Sequence, residues 1–202
     1  YDYEGQKQDL IRYMRETENQ LQILLCELAA YLHNKDMEIN VWDRIIAFEG
    51  RMHEFIKAAY DYQDNTFHSH PGYYIDYFEM RLAQLQVLHN LHYEIKKIRK
   101  MPKQALVIAD YIMYMADYVV EMNIPDQQIE KLEEISEQMK QEELPKTREE
   151  FEGRALLYHI LMDLEEFLVY KKRFVSGLDE KKLRIYWKQE MEQKDSANEL
   201  QK

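Results

Sequence analysis

The 202-residue chain carries 38 acidic residues against 27 basic ones, a net charge of −11, with only 5 Gly and 4 Pro. That charge repels nucleic acid and anionic lipid, and the shortage of turn formers beside abundant Leu, Ile, Met, Glu, Gln and Lys excludes a hairpin-rich β fold. A single cysteine, Cys26, excludes an internal disulfide and fits a reducing compartment.

The first predicted helix runs from about Gln6 to His33. Leu10, Met14, Thr17, Leu21, Leu24, Leu28 and Tyr31 alternate spacings of four and three, the seam of a bundle. Asn40 is placed to cap a second helix ahead of Asp43, with Ile45, Phe48, Met52, Phe55, Ile56 and Ala59 as its apolar face. The stretch Asp64 to Gly72, DNTFHSHPG, reads as a loop ended by Pro71-Gly72. A third helix, from about Tyr73 to Lys100, carries Tyr74, Phe78, Leu82, Leu85, Leu88 and Ile95 on one face.

Met101-Pro102 breaks the pattern, and Pro102 suits the first position of a fourth helix. Its stripe of Ala105, Ile108, Ala109, Ile112, Met115, Ala116 and Val119 is the narrowest and most apolar in the chain, which places it centrally. A polar connector follows from Pro125 to Glu142, anchored by Ile129, Leu132, Ile135 and Met139. Thr147 and Glu150 then read as a capping box, each bonding the other's backbone amide. The sixth helix extends to about Val175 with Phe151, Leu157, Leu161, Leu164 and Leu168 inward. Gly177 ends it, and a polar final helix spans Asp179 to about Lys194. The fold class is all-α: an elongated antiparallel bundle of four or more long helices with short accessory helices, one domain over 1–202 with its core in about 6–175.

No stretch approaches the roughly 20 apolar residues of a membrane span. The longest uncharged run, Leu82 to Tyr93, contains His89, Asn90 and His92. The chain begins at Tyr1 rather than Met, which reads as a piece excised from a longer protein. Basic clusters at Lys96, Lys97, Arg99 and Lys100 and at Lys171, Lys172 and Arg173 fall in last helical turns, where cations complement the helix dipole; contact with phosphate or with the cytoplasmic leaflet of a membrane is the competing reading.

The chain carries few residues arranged for chemistry. A di-iron bundle needs Glu-x-x-His on two helices, and none of the 7 His has a Glu three residues before it. There is no His-Glu-x-x-His, paired cysteine, nucleophile elbow or glycine-rich phosphate loop, so no metal, cofactor or catalytic residue is expected and the chain does not read as an enzyme. His68 and His70 share a loop; His89 and His92 share a helix face, with His92 inside the apolar stripe. At about 100° per residue, Arg81 falls mid-stripe on the third helix, and Arg154 and Glu165 fall near the inward face of the sixth with Tyr158 beside them. A charge in a core is costly unless paired. One reading is therefore a structural network joining Arg81 or Arg154 to Glu165 or Glu49. The other is a ligand-binding pocket of Arg81, His92, Arg154, Tyr158 and Glu165, in which an arginine takes a ligand carboxylate bidentately.

The segments LPKTREEFEGRALLYHILMDLEEFLVYKKRF, from Leu144 to Phe174, and RKMPKQALVIADYIMYMADYV, from Arg99 to Val119, carry a resemblance. Within about His89 to Phe174 the chain resembles the soluble C-terminal domain of the putative aromatic acid exporter family of bacterial membrane proteins. The resemblance implies a domain on the cytoplasmic face of the cell membrane, whose partner is the membrane-embedded N-terminal part of the same protein. It carries no catalytic or ligand residue with it. The functional expectation is an accessory domain serving homo-oligomer formation, gating or the binding of a small aromatic carboxylate, with no nucleic-acid partner. A free-standing helical adaptor that binds another protein is the alternative, and an enzyme working through Arg81, His92 and Glu165 is the third reading, which requires those groups to converge.

Overall fold

The alternating four-and-three seam of the first helix is buried along its length. Leu10, Met14, Thr17, Leu21, Leu24 and Leu28 all lie in the core of α1 (Tyr3–His33), whose N-terminus is capped by Asp2 accepting from the Gly5 amide. A computed structural model of the chain describes residues 2–34, 40–66, 72–187 and 199–201. It contains six further named helices: α2 (Val41–Asn65), α3 (Gly72–Lys97), α4 (Ala105–Ala116), α5 (Asp126–Lys140), α6 (Arg148–Ser176) and α7 (Glu180–Tyr186). The fold is all-α, and no strand occurs among the described residues.

Helix α3 packs against α6, α2 and α1, and α1 packs in turn against α4 and α2; α5 closes against α6 and α4. The centre is thus α1 and α3 rather than α4, which corrects the expectation from α4's apolar stripe. That stripe is buried, but Leu106, Val107 and Met113 on the opposite side are nearly half exposed, so α4 is a flanking helix. Helix α3 hides its centrality in sequence because it is covered on several sides. Tyr73, Tyr77, Arg81 and Gln84 are buried with Phe78, Leu85 and Leu88, so polar side chains share the buried sides and only a stripe through Asp76, Glu79, Gln86 and Asn90 faces solvent.

Several local expectations need correction. Asn40 precedes α2 without a side-chain capping bond. Asp64 and Asn65 belong to α2, while His68 and His70 lie outside the described residues. Pro102 does not open α4. Its carbonyl accepts from the Ala105 amide in a turn before the helix starts. The Thr147 hydroxyl accepts from the Glu150 amide at 3.1 Å, but the Glu150 carboxylate returns to the Lys146 amide at 3.0 Å instead of to Thr147. Phe151 is 61% exposed, because the first turn of α6 has no facing helix on that side. The final helix α7 is described only to Tyr186, ahead of the buried Trp187.

Candidate functional site

The five residues singled out from the sequence do not form one constellation. Arg81, His92 and Arg154 are buried, at 1%, 4% and 7% exposure, Tyr158 is half-buried, and Glu165 is exposed. No hydrogen bond or ion pair joins any two of them. Arg81 and His92 lie eleven residues apart on one helix, about 16 Å along its axis. Glu165, expected inward, lies instead on a surface groove with Leu132, Glu133 and Lys140 of α5, where it keeps its hydration. Neither arginine pairs with Glu165 or Glu49. Arg154 stands 3.6 Å from Glu150, and Arg81 bonds Tyr77 and Gln84. The grouping of Arg81, His92 and Glu165 that the enzyme reading required is therefore not assembled.

What surrounds Arg81 is a buried polar chain that sequence patterns did not reveal. Arg81 Nε donates to the Tyr77 hydroxyl at 3.0 Å, and Tyr77 donates to Glu18 Oε1 at 3.2 Å. Arg81 Nη1 donates to Gln84, whose amide donates to the Phe167 carbonyl of α6 at 2.8 Å. A second relay runs beside the first. Trp187 Nε1 donates to the Tyr73 hydroxyl at 3.0 Å, and Tyr73 donates to Glu121 Oε2 at 2.5 Å. The half-exposed Arg15 ties the two together, with Nη1 2.8 Å from Glu18 and Nη2 2.9 Å from Glu121.

Electrostatics fix the direction of both relays. Burial pushes the Tyr73 hydroxyl far above its ordinary value, and the neighbouring Glu121 charge and hydrogen bond push it further. Burial raises Tyr77 likewise, against the opposing pull of Arg81. Both phenols therefore stay neutral and pass one hydrogen bond to a carboxylate while receiving another from a cation or an indole. Burial lowers the Arg15 pKa, but Glu18 and Glu121 outweigh it and the net change is upward. The only evident hint in the sequence was the placement of Arg81, because Glu121 lies after α4 and Trp187 follows a short polar helix.

Two openings are relevant to binding. A cavity of about 10 Å³, room for one water, is lined by Arg81, Gln84, Asn123, Phe167 and Lys171. Arg81 Nη2 is buried beside it with no hydrogen-bond partner among the described residues. A larger surface pocket of about 530 Å³ is bordered by Lys100, Pro102, Lys103, Thr147 and Glu149 at the start of α6. No group of three or more His, Cys, Asp or Glu suited to a metal occurs among the described residues. None of the described helices is long and apolar enough to cross a membrane.

Residues 7–172 match the family model described as "Putative aromatic acid exporter C-terminal domain". "Uncharacterized protein YqjA" of Bacillus subtilis (strain 168) is 26% identical over 167 residues, which are 82% of this chain and 51% of that protein. The chain thus spans about half the length of this curated relative. The crystal structure of a protein described as a "putative membrane protein", from Clostridium difficile 630, superimposes with a TM-score of 0.72 at 23% identity, covering 83% of this chain and 99% of that one. At that identity the likeness concerns the fold. Helix α7 and Trp187 lie beyond the residues matched by the family model.

Proposed function

Since this chain belongs to the family of the putative aromatic acid exporter C-terminal domain, we propose that it is the accessory domain of a membrane transporter, set on the cytoplasmic face beside the membrane-embedded part of the same protein. The observation that carries this reading is the family match over residues 7–172. The matched residues make up only 51% of the relative, which leaves room for a membrane part that these helices do not supply. In this reading the long helices run antiparallel as one elongated unit. The unit associates with other copies, gates the membrane part, or holds a small aromatic carboxylate before export, and it performs no catalysis of its own.

Of the five residues considered for the carboxylate, Arg81 has the best support. A buried guanidinium with one donor unsatisfied gains more from an anion than a solvated one does; Arg154 has such a donor too, but Arg81 also lines the small cavity beside Lys171. Arg154, Tyr158, His92 and Glu165 are distributed elsewhere on α3 and α6 and would act, if at all, separately from it.

The test is fractionation of the native, untruncated product, probed with an antibody against this domain. A band larger than this chain, in the membrane fraction and released only by detergent, is the expected result. A band of this chain's own size in the soluble fraction would overturn the transporter reading. That outcome would favour a free-standing adaptor, a reading supported by the exposed side chains of Tyr93, Phe151 and Met162.

A further inference from the structure

Trp187 is 2% exposed, yet it follows a seven-residue helix none of whose residues is buried. Its indole is packed into the hydrophobic core and is also held by specific contacts. The ring N–H reaches the Tyr73 hydroxyl at 3.0 Å, and the Lys171 ammonium stands 5.7 Å from the ring centroid while donating to the Val120 carbonyl at 2.7 Å. The preceding Tyr186 stacks on Tyr73 with centroids 3.9 Å apart and planes within 5°. Aromatic walls, a polar group for the ring edge and a cation near the ring are the parts of a site for a planar aromatic ligand.

Lys171 also lines the small cavity into which Arg81 is set, so the indole site and the unpartnered Arg81 Nη2 share one boundary. At about 10 Å³ that cavity takes no ring by itself. Withdrawal of the indole would leave a ring-sized apolar space on one side of Lys171, with the Arg81 cavity on the other.

We propose that the space filled by Trp187 is a binding site for aromatic carboxylates, which enter by exchanging with the chain's own indole. The ligand ring lies where the indole lay, against Tyr73 and near Lys171, and the carboxylate meets Arg81 Nη2. The proposal rests on the reading that this domain holds aromatic carboxylates, and adds to it the site and the device that occludes it. Helix α7 is suited to the exchange. Leu178, Leu183 and Tyr186 are only partly buried and Ile185 is exposed, so the segment can open locally while α1, α3 and α6 stay folded. Ligand entry then releases α7 from Tyr73, converting occupancy into a change at the surface.

A tethered indole competes with the ligand, so the apparent affinity is reduced by the fraction of molecules that are open. The protein has two tryptophans, and Trp42→Phe leaves Trp187 as the single reporter. With 5-fluorotryptophan incorporated into that variant, titration with indole-3-acetate should move the fluorine resonance from a buried to a solvent-exposed position, saturably. By calorimetry, Trp187→Ala should bind indole-3-acetate at least about ten-fold more tightly than the parent chain, and Arg81→Met should lose that binding while its far-UV circular dichroism stays helical. Should Trp187→Ala not fold, the fluorine titration decides alone.

Binding with the Trp187 resonance unmoved overturns the exchange and leaves the aromatic-carboxylate reading standing. Neutral indole binding as tightly as the acid overturns the assigned role of Arg81. No binding to either the parent or Trp187→Ala removes both ligand readings, and the accessory-domain reading is then decided by fractionation.

Discussion

The Tyr73 hydroxyl donates to Glu121 Oε2 at 2.5 Å while accepting the indole N–H of Trp187, so one phenol joins α3, the turn after α4 and the residue after α7. Tyr73→Phe keeps the ring that stacks on Tyr186 but strips both buried partners of their hydrogen bond. An unsatisfied buried polar group costs about 1–3 kcal/mol, so the variant should lose roughly 2 kcal/mol or more. Urea denaturation monitored by circular dichroism measures this. A loss below about 0.5 kcal/mol, within the range of an ordinary surface substitution, would mean that the relay is not a stabilising unit.

Two glycines in helices should respond oppositely to added side chains. Gly50 lies exposed in α2, with no atom within 4 Å of where a Cβ would sit. Gly50→Ala should therefore gain about 1 kcal/mol from helix propensity alone. At Gly153 a Cβ would stand 3.0 Å from Pro102 Cγ and 3.4 Å from the Lys100 carbonyl, where α6 crosses the turn before α4. There, Gly153→Val should lose about 1–3 kcal/mol through overpacking. Melting temperatures rising at both sites would show that the contact with Pro102 is looser than its geometry implies.

His92 should make the fold sensitive to acid. Burial, then the charges of Lys96 and His89 on its own helix, hold its pKa below the ordinary 6.5. Between the lowered folded value and 6.5 the unfolded chain binds more protons, so stability is complete above 6.5 and declines as pH falls through that window. His92→Phe should remove this part of the decline, so that the variant loses less than the parent between pH 8 and pH 5. Equal losses in the two proteins would mean that His92 does not carry the dependence.

How much of the molecule was legible in its sequence depended on how one-sided each helix is. The seam of α1 and the inward residues Leu157, Leu161, Leu164 and Leu168 of α6 were readable because each helix has one dry face. Arg81 was placed in the core by its angle between Phe78 and Leu85. Tyr73, Tyr77 and Gln84 do not read as core, because they are polar side chains on a helix covered on several sides and an apolar stripe does not register them. Glu165 and Phe151 were projected inward by angle alone, which does not tell where the facing helix ends. The partnership of Tyr73 with Glu121 and Trp187 joins residues 48 and 114 positions apart, and no local pattern encodes it.

The two buried arginines allow a structural charge to be separated from a wired one. Arg154 has only Glu150 near it, at 3.6 Å, and its Nε has no partner among the described residues. That nitrogen has lost its hydration without gaining a partner, and because Glu150 is 41% exposed, removing Arg154 strands no buried charge. Arg154→Met should thus stay within about 1 kcal/mol of the parent or exceed it, with Glu150 retaining its bond to the Lys146 amide. Arg81 differs, since its Nε and Nη1 satisfy Tyr77 and Gln84, which are themselves buried. Arg81→Met leaves the Tyr77 oxygen and the Gln84 carbonyl each without its donor and should cost about 3 kcal/mol. Equal losses for the two variants in urea would mean that the Arg81 chain has no special weight. A large loss confined to Arg81 would show that the relay joining α1, α3 and α6 is a stabilising unit.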